Sequence, residues 1–131
     1  MFKSAFALAA LAAMAVTAGP SVARERPTGD QQLAKLLQGR VAGQPRSCIN
    51  TRVNQNQRVI DGTAVVYGSG KTIWVNVPRN AEDLDRDDAM VIRTHGSQLC
   101  RQDIVTTIDT ASHMYTGNVF LGNFVPYTRV N

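Results

Sequence analysis

The chain reads as a mainly β protein, a small antiparallel β-barrel or sandwich of about six strands with one short N-terminal helix. Three observations carry that expectation. After Gly43-Gln44-Pro45 the residues fall into short β-branched and aromatic runs divided by clusters of Gly, Pro, Asn and Asp, the alternation of strands and turns. The runs follow one another without an intervening helical period, so neighbouring strands connect antiparallel. Several runs are apolar at both parities: within 118–125, Phe120 and Phe124 fall on one face and Val119, Leu121 and Val125 on the other. That pattern suits a sheet covered on both faces or curled around its own core.

Taken in order, Met1 to Ala23 reads as a cleavable export signal. Lys3 gives it a positive start, Ala5 to Val16 an apolar run of about a dozen residues, and Ser21-Val22-Ala23 the small residues accepted at a cleavage site before Arg24. Gly19-Pro20 ends the run short of the ~20 apolar residues that span a bilayer, and no cysteine stands at the cleavage point to take a lipid. The expected product, residues 24–131, is a single soluble domain without a membrane anchor, periplasmic or secreted. Within it, 24–29 is an extended lead-in. Asp30 is placed to cap a helix over about 30–38 with Leu33, Leu36 and Leu37 on one face and Gly39 as terminator. A helix this short needs a surface for its leucine stripe. Strands are expected at 48–50, 58–67, 72–77, 89–94, 104–108 and 118–125.

Two cysteines, Cys48 and Cys100, remain after the leader, with no Cys-x-x-Cys spacing. In an oxidising compartment a disulfide is the default for such a pair, and separate thiols are the alternative. The bridge would close a loop of just over 50 residues, which chain entropy values at about 4 kcal/mol as an upper figure.

Charge is basic and uneven. Fourteen Lys and Arg stand against ten Asp and Glu, a formal net charge of +4. Arg40, Arg46, Arg52 and Arg58 come with no acid among them, while five acids crowd residues 82–88 around Arg86 alone. For an exported protein, nucleic acid is not the expected partner. The positive stretch instead suits phosphate or carboxylate groups of an envelope glycolipid or glycan, or forms a solvated strand face.

Four motifs bear on chemistry. Gly68-Ser69-Gly70-Lys71-Thr72 resembles the end of a phosphate-binding loop, but Val65 stands where the first glycine is required and a strand follows where a helix is needed, so it turns a β-hairpin. Asp83, Asp85 and Asp87 alternate like the first ligands of a calcium loop, yet Asp88 and Thr94 occupy the positions of its glycine and its bidentate glutamate. A solvated acidic turn is expected there. His95 and His113, the only histidines, offer acid–base chemistry if either meets Asp61, Asp103 or Asp109. Trp74, the sole tryptophan, is core if its parity faces inward and a platform for a sugar or a partner if outward.

Three stretches together resemble a family of small exported two-cysteine proteins of Gram-negative bacteria that carries no assigned activity. They are Cys48-Ile49-Asn50 with Arg58 to Val65, then Gly96 to Asp103, then Leu121 to Tyr127. The resemblance implies an export signal and a two-cysteine staple. A fainter similarity runs from Tyr67 to Lys71 toward the periplasmic lysozyme inhibitors, β-barrels that present polar loops to the enzyme's cleft. It implies hydrogen bonds from Ser69 or Lys71 to catalytic carboxylates, although the inhibitors' second signature is absent around Trp74. The leading expectation is a non-catalytic exported module, without cofactor or metal, that binds an envelope component or protein partner through strand-edge loops. A small hydrolase or isomerase with a His/Asp pair is the alternative, and a lysozyme inhibitor acting through Ser69 and Lys71 is a third.

Overall fold

A computed structural model describes residues 18–131. Most of the expected export signal lies outside the described residues, and 18–23 are exposed without regular structure. Among the described residues no helix is long and apolar enough to cross a membrane.

Helix α1 (Gly29–Leu37) begins one residue earlier than expected, and Thr28, not Asp30, is its cap. The Gln31 N–H donates to Thr28 Oγ1 at 3.3 Å and the Thr28 N–H to Gln31 Oε1 at 3.0 Å, a reciprocal pair that satisfies two orphan amides. Asp30 lies in the first turn, where its charge complements the helix dipole. Gly39, at φ +70°, follows the last turn as expected. The stripe of Leu33, Leu36 and Leu37 packs on Ile60, Ala64, Val66, Ile73 and Val75. A Cβ on Gly29 would stand 2.6 Å from the Asp61 carbonyl oxygen, so the helix start presses on the turn at 61–63.

Ten strands form where six were expected. The run 58–67 is two strands, β3 (Gln57–Ile60) and β4 (Ala64–Tyr67), folded back around Asp61-Gly62-Thr63 with Gly62 at φ +61°. The run 118–125 likewise divides at Leu121-Gly122-Asn123 into the end of β9 (Tyr115–Phe120) and the start of β10 (Phe124–Arg129). Phe120 and Phe124 therefore do not share a face. Phe124 is wholly buried, whereas Phe120 is 46% exposed. Two further strands, β1 (Arg40–Ala42) and β7 (Gln98–Cys100), each three residues long, were not expected. The remaining four, β2 (Cys48–Asn50), β5 (Thr72–Asn76), β6 (Asp88–Ile92) and β8 (Ile104–Asp109), fall within two residues of expectation.

All pairings are antiparallel, in three open sheets ordered β1-β10-β5-β4-β3, β2-β7 and β6-β8-β9. The sheets do not close into a barrel; short strands, the turn at Gly62 and the crossing from one sheet to another at Gly122 divide what continuous strands would have joined. The five-stranded sheet is covered on both faces, which explains why β4 is buried at every position. Val65, Tyr67 and Phe124 face the two smaller sheets and meet Ile49, Leu99, Val105 and Val119. Val66, Ile73 and Val75 face α1.

Two devices fix this arrangement. Cys48 and Cys100 are directly opposed across β2–β7, with Cα atoms 4.0 Å apart, and are joined by a disulfide. Asn76 is wholly buried, and its amide pairs with the connection between β9 and β10: Nδ2 donates to the Gly122 carbonyl at 2.8 Å and the Gly122 N–H donates to Oδ1 at 2.9 Å. One side chain thus takes the place of a strand neighbour where the ladder stops. Gly122 must lack a side chain, since a Cβ there would stand 2.6 Å from the Val77 carbonyl oxygen.

Candidate functional site

The register of the five-stranded sheet sets three cations in one row. Arg40 of β1 is directly opposite Arg129 of β10. Beyond the Thr128–Thr72 pair, the Arg129 N–H donates to the Lys71 carbonyl at 2.9 Å, so Lys71 continues the row at the start of β5. Residues opposite one another on adjacent strands point to the same face, about 5 Å apart from strand to strand. Tyr127 and Ile73, two residues away along their strands, belong to the α1 side, so the row opens on that side as well.

Like charges placed directly opposite are destabilising, and nothing acidic relieves these. Among the described residues the one ion pair is Arg86 with Asp61, at 3.6 Å. Arg40 spends its guanidinium on three carbonyls: Nη1 donates to Lys71 at 2.9 Å and Tyr127 at 3.3 Å, and Nη2 donates to Gly70 at 2.9 Å. Partial desolvation lowers its pKa from the ordinary value, and the Arg129 charge adds to that, although an arginine stays charged. The Lys71 and Arg129 side chains make no hydrogen bond or ion pair with any described residue, which leaves their donors open to a ligand.

Beside this row lies a cleft of about 370 Å³ between α1 and the β4–β5 hairpin. Leu36, Val66 and Ile73 form its apolar floor, and Arg40, Arg58 and the Gly68-Ser69-Gly70 segment its rim. The hairpin turns as its glycines suggested, with Gly68 at φ +84° and Gly70 at φ +83°. Of the two residues singled out in it, Ser69 accepts a hydrogen bond from Asn56 Nδ2 at 3.1 Å, and Lys71 stands exposed in the cationic row. Arg58 carries the same face on β3, opposite Val66.

The other sequence candidates are dispersed. Asp61 takes Arg86, Asp103 accepts the Cys100 N–H at 2.7 Å, and Asp109 accepts both the hydroxyl and the N–H of Ser112 at 2.7 and 2.6 Å. The Ser112 hydrogen bonds, the side-chain one first, hold the Asp109 carboxyl below its ordinary pKa. His95 and His113 are exposed, and neither imidazole makes a hydrogen bond or ion pair with an aspartate carboxylate among the described residues. His113 stands beside Asp109, whose carbonyl accepts its backbone N–H at 2.9 Å and whose carboxyl pKa its charge helps to lower. Asp83 and Asp85 line a cleft with Asp88 and Asp109, while Asp87 does not; no group of three or more His, Cys, Asp or Glu among the described residues is arranged to hold a metal ion. Trp74 is neither wholly core nor a free platform. It is half-buried at the margin of the larger core, with the Arg46 guanidinium 5.9 Å from its ring centre.

The sequence singled out Lys71 but not Arg129, and it placed Arg40 in a basic stretch without its neighbours. The signal available was the alternation Val125, Tyr127, Arg129, which carries the last strand beyond its apolar part. No family model matches the chain, and neither the curated proteins nor the solved structures contain a significant match.

Proposed function

We propose that the protein is a non-catalytic exported module that binds an anionic group of an envelope component at the cationic end of its five-stranded sheet. The observation that carries this reading is the row Arg40–Arg129–Lys71, three like charges set side by side across adjacent strands without a carboxylate to balance them. An arrangement that costs stability in the free protein is relieved when an anion neutralises it. Arg40 acts as the strut that holds the hairpin against β10, and Lys71 and Arg129 supply the open donors. Ser69 and Arg58 line the adjacent cleft, whose apolar floor accepts the uncharged part of the ligand.

The test is calorimetric titration of the folded protein with inorganic phosphate and with a galacturonic acid oligomer, at low and moderate salt. Binding should weaken as salt rises, since exposed charges are screened beyond about 10 Å at roughly 0.1 M. Arg129→Glu and Lys71→Ala should each weaken it at least about tenfold. Salt-independent binding, or binding unchanged in both variants, refutes the reading.

A further inference from the structure

The β4–β5 hairpin has a second cleft on its other side. It measures about 450 Å³ and is lined by Trp74, Arg46, Asn50, Asn54, Thr72 and Gln98. Gly68, Ser69, Gly70 and Ile73 line the first cleft and Thr72 and Trp74 the second, so the two lie back to back on one hairpin at one end of the sheet. Strand alternation produces this: Lys71 and Ile73 face α1, while Thr72 and Trp74 face the smaller sheets.

The chemistry of the second cleft differs from that of the first. The flat indole of Trp74 is half-buried, and the Arg46 guanidinium lies over its ring, 5.9 Å from the centre, without an ion-pair partner among the described residues. Three amide side chains converge there with hydrogen-bonding capacity to spare. The Gln98 amide makes no hydrogen bond to a described residue, Asn54 uses only its Nδ2, to the Asn50 carbonyl, and Asn50 uses only its Oδ1, to the Arg52 N–H. Asn and Gln amides present a donor and an acceptor side by side, which matches vicinal hydroxyls of a sugar. An aromatic face beside them suits the ring's apolar C–H side. The wall is rigid because Asn50 and Gln98 are directly opposed on β2 and β7, two residues from the disulfide.

We infer that the Trp74 cleft is a saccharide subsite, and that the ligand of the cationic row is therefore an acidic oligosaccharide whose chain passes the hairpin. This rests on the anion-binding reading above and names its ligand class. Arg46 then sits where a carboxylate on the neighbouring sugar is received, and Gln98 and Asn54 position the ring.

Trp74 is the only tryptophan in the sequence, so its emission reports this cleft alone. The folded protein is titrated with the galacturonic acid oligomer, with the matching neutral galactose oligomer and with inorganic phosphate, following Trp74 emission and its quenching by acrylamide. The acidic oligomer is expected to shift the emission and to protect Trp74 from acrylamide. Phosphate is expected to bind without doing either. Gln98→Ala should weaken the acidic oligomer at least about tenfold while leaving phosphate affinity unchanged, and Arg46→Ala should weaken the acidic oligomer by a similar factor. Gln98 is exposed, so its variant keeps the fold, which an unchanged melting curve verifies. If the acidic oligomer binds in a salt-dependent way that Arg129→Glu abolishes, yet Trp74 emission and the Gln98→Ala affinity do not change, the saccharide subsite is overturned and anion binding stands. If the neutral oligomer binds as tightly as the acidic one, the link between the clefts is overturned. Absence of binding by phosphate and both oligomers overturns both readings.

Discussion

Replacing Asn76 tests how the sheet is terminated. Its side chain is wholly buried and holds both polar backbone atoms of Gly122, with hydrogen bonds of 2.8 and 2.9 Å. Asn76→Ala leaves an N–H and a C=O without partners. A buried group left unsatisfied costs about 1–3 kcal/mol, and Gly122 is half-buried, so the lower part of that range applies to each. The expected loss is about 2–4 kcal/mol, read from urea unfolding followed by circular dichroism with the disulfide intact. Asn76→Asp sharpens the test through pH. Once ionised, the introduced carboxylate would set a lone pair against the Gly122 carbonyl in a dry site, whereas the neutral acid can donate to that carbonyl and accept from the Gly122 N–H as the amide does. The folded state thus raises the carboxyl pKa above its unfolded value of about 3.9. Folded protein then holds the proton more tightly than unfolded chain, so the stability of this variant relative to the parent falls as pH rises above ~4 and recovers below it. If Asn76→Ala costs less than about 0.5 kcal/mol, within the range of ordinary surface substitutions, the side chain is not closing the sheet. A deficit in Asn76→Asp that is identical at low and neutral pH would equally contradict the hydrogen-bond assignment.

Other substitutions address separate parts of the molecule. The Tyr67 hydroxyl is buried without a hydrogen-bond partner while its ring meets Phe124 edge-on at 5.8 Å, and burial pushes its pKa well up. Tyr67→Phe should therefore leave thermal unfolding unchanged or raise stability by about 1 kcal/mol, and a clear loss would reveal a partner for the hydroxyl. Arg129→Glu replaces a like-charge pair with an opposite one facing Arg40, and should stabilise by up to about 1 kcal/mol at low salt even as it weakens the proposed anion binding. A melting temperature that falls would argue against repulsion in the row. Cys48→Ala with Cys100→Ala removes a bridge spanning 52 residues and should cost about 2–4 kcal/mol in denaturant unfolding; a loss under about 1 kcal/mol would mean the strands hold without it.

Much of the fold was legible where the signal is local. The Leu33, Leu36 and Leu37 stripe and its Gly39 stop placed α1, and the Gly68-to-Lys71 turn placed the central hairpin. The disulfide followed from cysteine number and the expected compartment. The apolar residues at both parities of 118–125 suited a sheet covered on both faces or curled on itself, but that run divides between two strands. The same richness hid the turn at Asp61-Gly62, because an unbroken apolar run reads as one long strand even when a hairpin dipeptide interrupts it. The division at Gly122 was less accessible still, since it depends on Asn76, 46 residues away in sequence and indistinguishable there from a solvent-facing amide. The cationic row was illegible for a related reason. Arg40, Lys71 and Arg129 are ordinary one by one, and only the register of β1, β10 and β5 makes them neighbours.

The ribbon of β2 and β7 has three residues in each strand, too few to persist unaided in water. Its sulfur–sulfur bond is consequently what erects the wall bearing Asn50 and Gln98. A chain still in a reducing cytosol would keep its thiols apart and have no such wall, so a recognition surface there would be unfinished. If the protein is exported and binds a ligand as proposed, oxidation outside the cell would complete that surface, a chemical timer on the proposed ligand capture.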